Sequence, residues 1–264
     1  MNLLQDPLIK TLIARLNQPG VIGLAITGSY SRNDHNPHSD VDMDIFMDTL
    51  SDDDTYTLQI LNGKLVSLNY IRLADEFDSL KKPEGAIWAV PGIRQMQILV
   101  DESGRLAKLK QAAHDFKWDA LQSAADEYAV ESLMGCAEEA HKIISGLMQE
   151  NESKVLYASW GMFKGLSFAA AVQAGLMIES ENKIFSMMQE HFKNNPAWVR
   201  AFRLSFGMDV ETNIPVWKTR GKASLDLYEQ TYLLFKDLIN DKHREVIENT
   251  LQLISSYKQS DPHE

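Results

Sequence analysis

Residues 28–46 read GSYSRNDHNPHSDVDMDIF: a glycine–serine pair and, eleven residues after the serine, aspartates at every second position, Asp40, Asp42 and Asp44. These residue types suit phosphate and metal chemistry. A strand that runs into Gly28–Ser29 and then turns exposes backbone N–H groups beside a hydroxyl, and glycine lets an anion approach the backbone closely. Two carboxylates at i and i+2 of a strand point the same way, with Cα atoms about 6 to 7 Å apart. Such a pair can share oxygen-loving divalent ions, and Mg²⁺ binds through one or two carboxylates plus substrate phosphates. Ions held there keep attacking and leaving oxygens in line for phosphoryl or nucleotidyl transfer. Taken singly, a Gly-Ser pair, an Asp-x-Asp pair and an acid–apolar alternation are common, the last usually the solvated face of an edge strand. Their order, with an apolar strand before Gly28 and another strand opening at Asp40, gives them chemical meaning.

The elements that must position these residues are legible upstream and downstream. Val21–Thr27, VIGLAIT, is β-branched and aliphatic and ends at Gly28, which predicts a buried strand. Asp40–Met47 alternates acid and apolar residues, which predicts a strand with one buried face. Lys64–Ile71 and Arg94–Val100 read as two further strands. Helices are expected at the N-terminus, with Leu4, Leu8, Leu12 and Leu16 on one stripe, and near Asp75–Lys81. Residues 1–117 therefore read as an α+β domain with a mixed sheet. From about Asp119 the period becomes helical, with an apolar stripe from Leu121 to Leu147. Ser153 is expected to cap a second helix to about Leu176, a third spans roughly Asn182–Phe192, a fourth follows Pro196, and one or two more close the chain before a frayed tail at 258–264. Residues 118–264 read as an all-α bundle.

Bulk composition narrows the classes. At 264 residues with 44% hydrophobic and 24% charged residues, the chain can bury a large core. A net charge of −11 disfavours nucleic acid or an anionic membrane as partner and favours cationic ligands, or ligands whose charge Mg²⁺ carries. The single Cys136 excludes an intramolecular disulfide framework and reads as a small apolar helix residue. The first residues, MNLLQDPLIKTLIARL, lack the pattern of a secretory leader, and no uninterrupted apolar run of membrane-spanning length is evident. A cytoplasmic protein is expected, monomer or homodimer.

The stretch from Gly28 to Phe46 resembles the signature of the polymerase-β-like nucleotidyltransferase superfamily: a Gly-Ser pair followed at this distance by Asp-x-Asp in a Ser-Asp-hydrophobic-Asp context. The resemblance is closest over about residues 20–50, extends through WAVPGIRQMQILVDESGRLAKL (Trp88–Leu109), and is architectural beyond. Small members of that superfamily, the antibiotic nucleotidyltransferases of aminoglycoside or lincosamide type, join such a domain to a C-terminal helical domain. The resemblance implies that Gly28 and Ser29 hold a nucleoside triphosphate, ATP first among them, and that Asp40 and Asp42 bind Mg²⁺. Arg32, in the same loop, is placed either to meet a phosphate or to stand as a surface arginine. Asn33 occupies a position where the family often has glycine, which asks for a left-handed backbone that asparagine tolerates. His38 adjoins the site but fits no metal-ligand spacing.

The departure lies in the third carboxylate that many members carry on a later strand. Here the corresponding strand, KLVSLNYI, offers Ser67 and Asn69, and an amide cannot take a proton from an attacking hydroxyl. The substitutes are Asp44 on the same face as the pair, Asp75 or Glu76 after the strand, Asp101 in a following turn, or a helical-domain glutamate among Glu127, Glu131, Glu138 and Glu139. Cations that could meet a triphosphate across a cleft between the domains are Lys154, Lys164, Lys183, Arg220 and Lys222, the last two preferred. The expectation is an Mg²⁺-dependent enzyme that moves a nucleoside monophosphate to a hydroxyl of a small molecule, such as an antibiotic, with Asp40, Asp42 and Asp44 catalytic. The alternatives are a protein-modifying nucleotidyltransferase of toxin–antitoxin type and a degenerate, non-catalytic nucleotide binder.

Overall fold

Asp6 starts the first helix, its carboxylate accepting the N–H groups of Leu8 and Ile9 while Pro7 takes the first helical position. In the structure, a computed structural model, residues 3–50, 55–210 and 214–260 are described. Contacts divide the chain into two units, Met1–Asp119 with Met177–Ile184, and Ala120–Leu176 with Phe185–Glu264.

The first unit runs α1 (Pro7–Leu16), β1 (Val21–Ile26), α2 (Gly28–Arg32), β2 (Val41–Met47), β3 (Tyr56–Leu61), β4 (Lys64–Arg72), α3 (Leu73–Ser79), α4 (Pro83–Gln95), β5 (Gln97–Val100) and α5 (Arg105–Asp115). The five strands form one mixed sheet in the order β3-β4-β2-β1-β5. β2 is antiparallel to β1 and parallel to β4, so both flanks of the acidic strand are hydrogen-bonded. Its odd residues Val41, Met43 and Ile45 enter a core with Ile9, Leu12 and Leu16 of α1, Leu24 and Ile26 of β1, and Val66 and Leu68 of β4. Period-two alternation then forces Asp42 and Asp44 to the opposite face. The leucine stripe is narrower than expected: Ile9 replaces Leu8 at its centre, and Leu4 lies in a preceding 3-10 turn, 48% exposed.

Three elements differ from the sequence expectation. β3 pairs with β4 through a turn at Asn62 and Gly63, both with positive φ. Residues 83–95 form a helix despite Pro91, and the strand expected from Arg94 shrinks to β5 because Arg94 and Gln95 complete that helix. Residues 105–115 form α5, packed on α4, where Arg94 Nε donates to the Ala113 carbonyl at 2.8 Å.

The second unit holds α6 (Gln122–Gly135), α7 (Ala137–Met148), α8 (Glu152–Gln173), α9 (Ile184–His191), α10 (Pro196–Phe206), α11 (Val216–Phe235) and α12 (Asp241–Ser260). The stripe expected on one long helix is divided at Cys136 between α6 and α7. Asn151, not Ser153, caps α8, accepting the Lys154 N–H at 3.0 Å. By length and composition α8 could cross a membrane, but Val155, Met162, Leu166 and Ala169–Val172 are buried inside this unit. Trp198 of α10 stacks on Phe202 and donates its indole N–H to Thr231 of α11 at 3.0 Å, a buried link between two helices. Of the tail expected to fray, residues 258–260 complete α12 and residues 261–264 lie outside the described residues.

Candidate active site

β1 delivers the chain to the site. After Ile26, the Thr27 N–H continues the ladder onto the Asp42 carbonyl at 3.1 Å, and the chain turns into the five-residue α2. Gly28 has φ +60°, and a Cβ there would fall 1.9 Å from Asp42 Oδ2. Only a glycine lets the turn lie against that carboxylate. No side chain caps the first turn, which leaves its N–H groups for water or a ligand. The turn is braced from below: Ser31 Oγ donates to the Gly28 carbonyl at 2.9 Å, and Gln97 Nε2 donates to the Ser31 carbonyl at 2.7 Å. Asn33 takes the left-handed conformation, φ 59°, and closes α2 by donating its N–H to the Ser29 and Tyr30 carbonyls.

A cavity of about 830 Å³ opens over this turn and the acidic face of β2. Gly28, Ser29, Arg32, His38, Asp40, Asp42 and Asp44 line it together with Phe46, Asn69 and Glu76. One wall is α4, through Trp88, Ala89, Gly92, Ile93 and Gln95, and another is the returning segment Ile178–Asn182. The segment is held at Ile178, which is buried and donates its N–H to the Ile87 carbonyl at 2.7 Å. Pro91 explains why that carbonyl is available: an α-helix would pair it with the N–H of residue 91, and proline has none.

The sequence-predicted residues are therefore brought together. Among the described residues, neither the Asp40 nor the Asp42 carboxylate makes a hydrogen bond or ion pair. Burial raises the Asp42 carboxyl above its ordinary range and the charge of Asp40 adds to this, opposed by Arg32. Asp44 goes further, to about 7, through burial, against hydrogen bonds from Asn69 and Thr27 and with help from the charges of Glu76 and Asp42. Strand register places Ser67 beside Asp42 and Asn69 beside Asp44, and Asn69 Nδ2 donates to Asp44 Oδ1 at 3.4 Å. The strand that could have carried another acid carries instead an amide that braces Asp44.

The substitutes for that acid now separate. Glu76 lines the cavity and is itself raised, first by burial and then by Asp75. Asp75 points elsewhere, in a bidentate contact with Arg72. Asp101 accepts the Ala107 N–H at 2.8 Å and shapes the start of α5. In the helical unit, Glu131 pairs with Lys242, and Glu138 and Glu139 pair with Lys142. Arg32 bonds Asp34 at 3.0 Å, and this bond with the charges of Arg32 and Lys183 holds the Asp34 carboxyl below its ordinary value. Lys183 pairs with Glu179 at 3.0 Å within the returning segment. Of the preferred cations, Arg220 donates to the Ser205 carbonyl at 3.0 Å, and burial lowers its pKa.

The donor set fits a hard cation. Asp40 and Asp42 offer only oxygen, and among the described residues no three His, Cys, Asp or Glu side chains form a metal-holding group by themselves. That suits an ion completed by water and substrate phosphates, the habit of Mg²⁺.

Residues 9–95 match the family model of the nucleotidyltransferase domain, a span that contains the turn, the three aspartates and Glu76. Among solved structures, a nucleotidyltransferase-like protein from Exiguobacterium sibiricum is similar in fold, with a TM-score of 0.50 and 14% identity over 90% of this chain and 79% of that chain. No curated protein matches the chain in sequence.

Proposed function

We propose that the chain is an Mg²⁺-dependent nucleotidyltransferase that moves a nucleoside monophosphate, from ATP first among the triphosphates, to a hydroxyl of a small molecule. One observation carries this reading: the Gly28–Ser29 turn lies directly on Asp42, inside a cavity that also presents Asp40, Asp44 and Glu76. The match of residues 9–95 supports the reaction class.

Gly28 and Ser29 would seat the triphosphate, with Arg32 beside them, and Asp40 and Asp42 would hold the metal. The bound ion would neutralise phosphate charge and align the leaving pyrophosphate. The acceptor oxygen bonds to the α-phosphorus, the bond to the bridging oxygen breaks, and pyrophosphate leaves with that electron pair. Asp44 takes the hydroxyl proton: it is the acid of the face that lies deepest, and Asn69 fixes its orientation. Glu76 adds a further carboxylate beside Asp44 and, through its charge, keeps Asp44 a better proton acceptor. Around the turn and the acidic strand the cavity carries Asp40, Asp42, Asp44 and Glu76 against the single guanidinium of Arg32. That excess of acid supports a cationic acceptor, of which an aminoglycoside-type antibiotic is the nearest chemical example, over a polynucleotide.

The test is calorimetry with Mg²⁺ and each nucleoside triphosphate, followed by a pyrophosphate-release assay over a panel of aminated and neutral polyols. Metal-dependent nucleotide binding that survives both Asp40→Ala and Asp42→Ala would remove the site assignment. Nucleotide binding without pyrophosphate release from any acceptor would favour a binding protein over an enzyme.

A further inference from the structure

Two walls of the cavity have no role in holding phosphate or metal. Ser180, Asn182, Glu179 and Glu181 of the returning segment line it, and so does Trp88 of α4. The returning segment is fastened to α4 at Ile87, the residue adjacent to Trp88. It shares the cavity with Arg32 of the phosphate loop.

We infer that Trp88, Ser180, Glu181 and Asn182 form the nucleoside subsite, where the base stacks on the indole and the returning segment reads the base edge and the ribose. The inference rests on the proposed nucleotidyl transfer and names the part of the nucleotide that this wall takes.

Chemistry and placement both favour it. The carboxylates of this wall stand apart from the proposed metal pair, so the segment suits an uncharged portion of the ligand better than its phosphates. Ser180, Glu181 and Asn182 together donate and accept, which suits base edges and ribose hydroxyls; an amide matches adenine bidentately, and a carboxylate accepts from a ribose hydroxyl. An indole face takes any base. Along α4, Trp88 lies about 12 Å from Met96, at 1.5 Å rise per residue. Met96 is next to Gln97, which braces the phosphate turn through Ser31. Trp88 and the turn residues Gly28, Ser29 and Ser31 line one and the same cavity. Pro91 lies between Trp88 and Met96, and the carbonyl it leaves unpaired fixes the segment beside Trp88, so the two halves of the subsite share one anchor.

The experiment uses the intact chain with Mg²⁺, the α,β-methylene analogues of ATP, GTP, CTP and UTP, and inorganic tripolyphosphate as a probe of the phosphate subsite alone. Trp88→Leu should weaken every nucleotide analogue about tenfold or more, the range of a lost base–aromatic stack. Trp88→Phe should restore most of the affinity, which excludes a folding defect. Asn182→Ala should flatten the preference among bases, adenine being the base most affected. Tripolyphosphate affinity should stay within about twofold in all three, since none of them touches the phosphates. Equal losses for tripolyphosphate and nucleotide, or unchanged nucleotide affinity in Trp88→Leu and Asn182→Ala, would overturn the subsite. A wild-type chain that binds neither probe would overturn the transferase reading itself, and the subsite with it.

Discussion

Gly28 and Asp42 touch: no side chain fits between the backbone of the turn and the carboxylate of the strand behind it. The contact joins two features that lie fourteen residues apart in the chain (42 − 28 = 14) and belong to different elements. It arises because β1 and β2 are antiparallel neighbours and the Thr27 N–H extends their ladder to the Asp42 carbonyl. Sheet register therefore sets how far a phosphate on the turn would lie from a metal on the strand. Nothing in α2 itself could do so, because five residues are too short to orient anything unaided.

Gly28→Ala should consequently damage both stability and binding. A left-handed conformation costs an L-residue roughly 1 to 2 kcal/mol before any clash, and here Asp42 must also move. Gly63→Ala separates the two effects. Gly63 has φ +75° with nothing within 4 Å of an added Cβ, so it feels the strain alone. Urea denaturation should rank Gly28→Ala below Gly63→Ala, and calorimetry should find Mg²⁺-dependent nucleotide binding lost in the first and unchanged in the second.

Asn69→Asp would place an acid on β4 beside Asp44. The change removes the amide that donates to Asp44 and sets a second carboxylate against it. Without metal the variant should lose about 1 to 3 kcal/mol, the cost of leaving a buried acceptor unsatisfied, and like-charge repulsion adds to that. Divalent metal should reverse the loss, because two acids then share a cation. Thermal denaturation in chelator and in millimolar MgCl₂ would read this directly: the variant should gain more from Mg²⁺ than wild type does. A variant as stable as wild type in chelator would mean that the Asn69 amide does not support Asp44.

How much of this was legible beforehand follows from whether the determining contact is local. Val41, Met43 and Ile45 against Asp42 and Asp44 is a period-two pattern, so strand and face could both be read from it. β3 has the Asn62–Gly63 turn signal, but Tyr56, Leu58 and Ile60 sit exposed on an edge strand, and their alternation marks no buried face. α4 carries Pro83, Gly85, Pro91 and Gly92, a composition that resembles a loop. The Ile87 carbonyl that Pro91 leaves without a helical partner is taken by the Ile178 N–H, contributed by a segment far along the chain. For the same reason Trp88 and Ile178–Asn182 could not be assigned to the cavity, although Asp40 and Asp42 could. Glu76 was visible only as one of a pair. The choice between it and Asp75 was made by Arg72, which holds Asp75 away from the site.

Pro91→Ala tests that long-range contact. Alanine brings an N–H at the position that pairs with the Ile87 carbonyl inside the helix and removes a residue that costs a helix interior about 3 kcal/mol. The helix gains, and Ile178 loses its acceptor. Hydrogen exchange followed by mass spectrometry should show faster exchange in the peptide covering residues 177–184, with α4 itself better protected. Unchanged protection at Ile178 would show that the segment is held by side-chain packing and that the carbonyl is incidental.

Cys136 gives a pH-dependent prediction away from the site. Its thiol is buried at the junction of α6 and α7 and is pushed up to about 12, first by burial and then by the charge of Glu139. Because the thiolate is the reactive form, alkylation of an ordinary cysteine rises steeply from pH 7, is half-maximal near 8.5 and levels off about a pH unit above that. In the folded chain the raised pKa moves that rise out of the working range, so iodoacetamide labelling should stay slow from pH 7 to 9. The rate should increase only where the fold opens. In guanidinium the same thiol regains its ordinary acidity and should label fully at pH 8.5. Gly165 sets the packing limit, since a Cβ there would lie 2.7 Å from Cys136 Sγ. Gly165→Ala should therefore displace the thiol, lower stability and speed labelling at pH 8.5, whereas rapid labelling of the native wild-type chain would refute a buried, inert thiol.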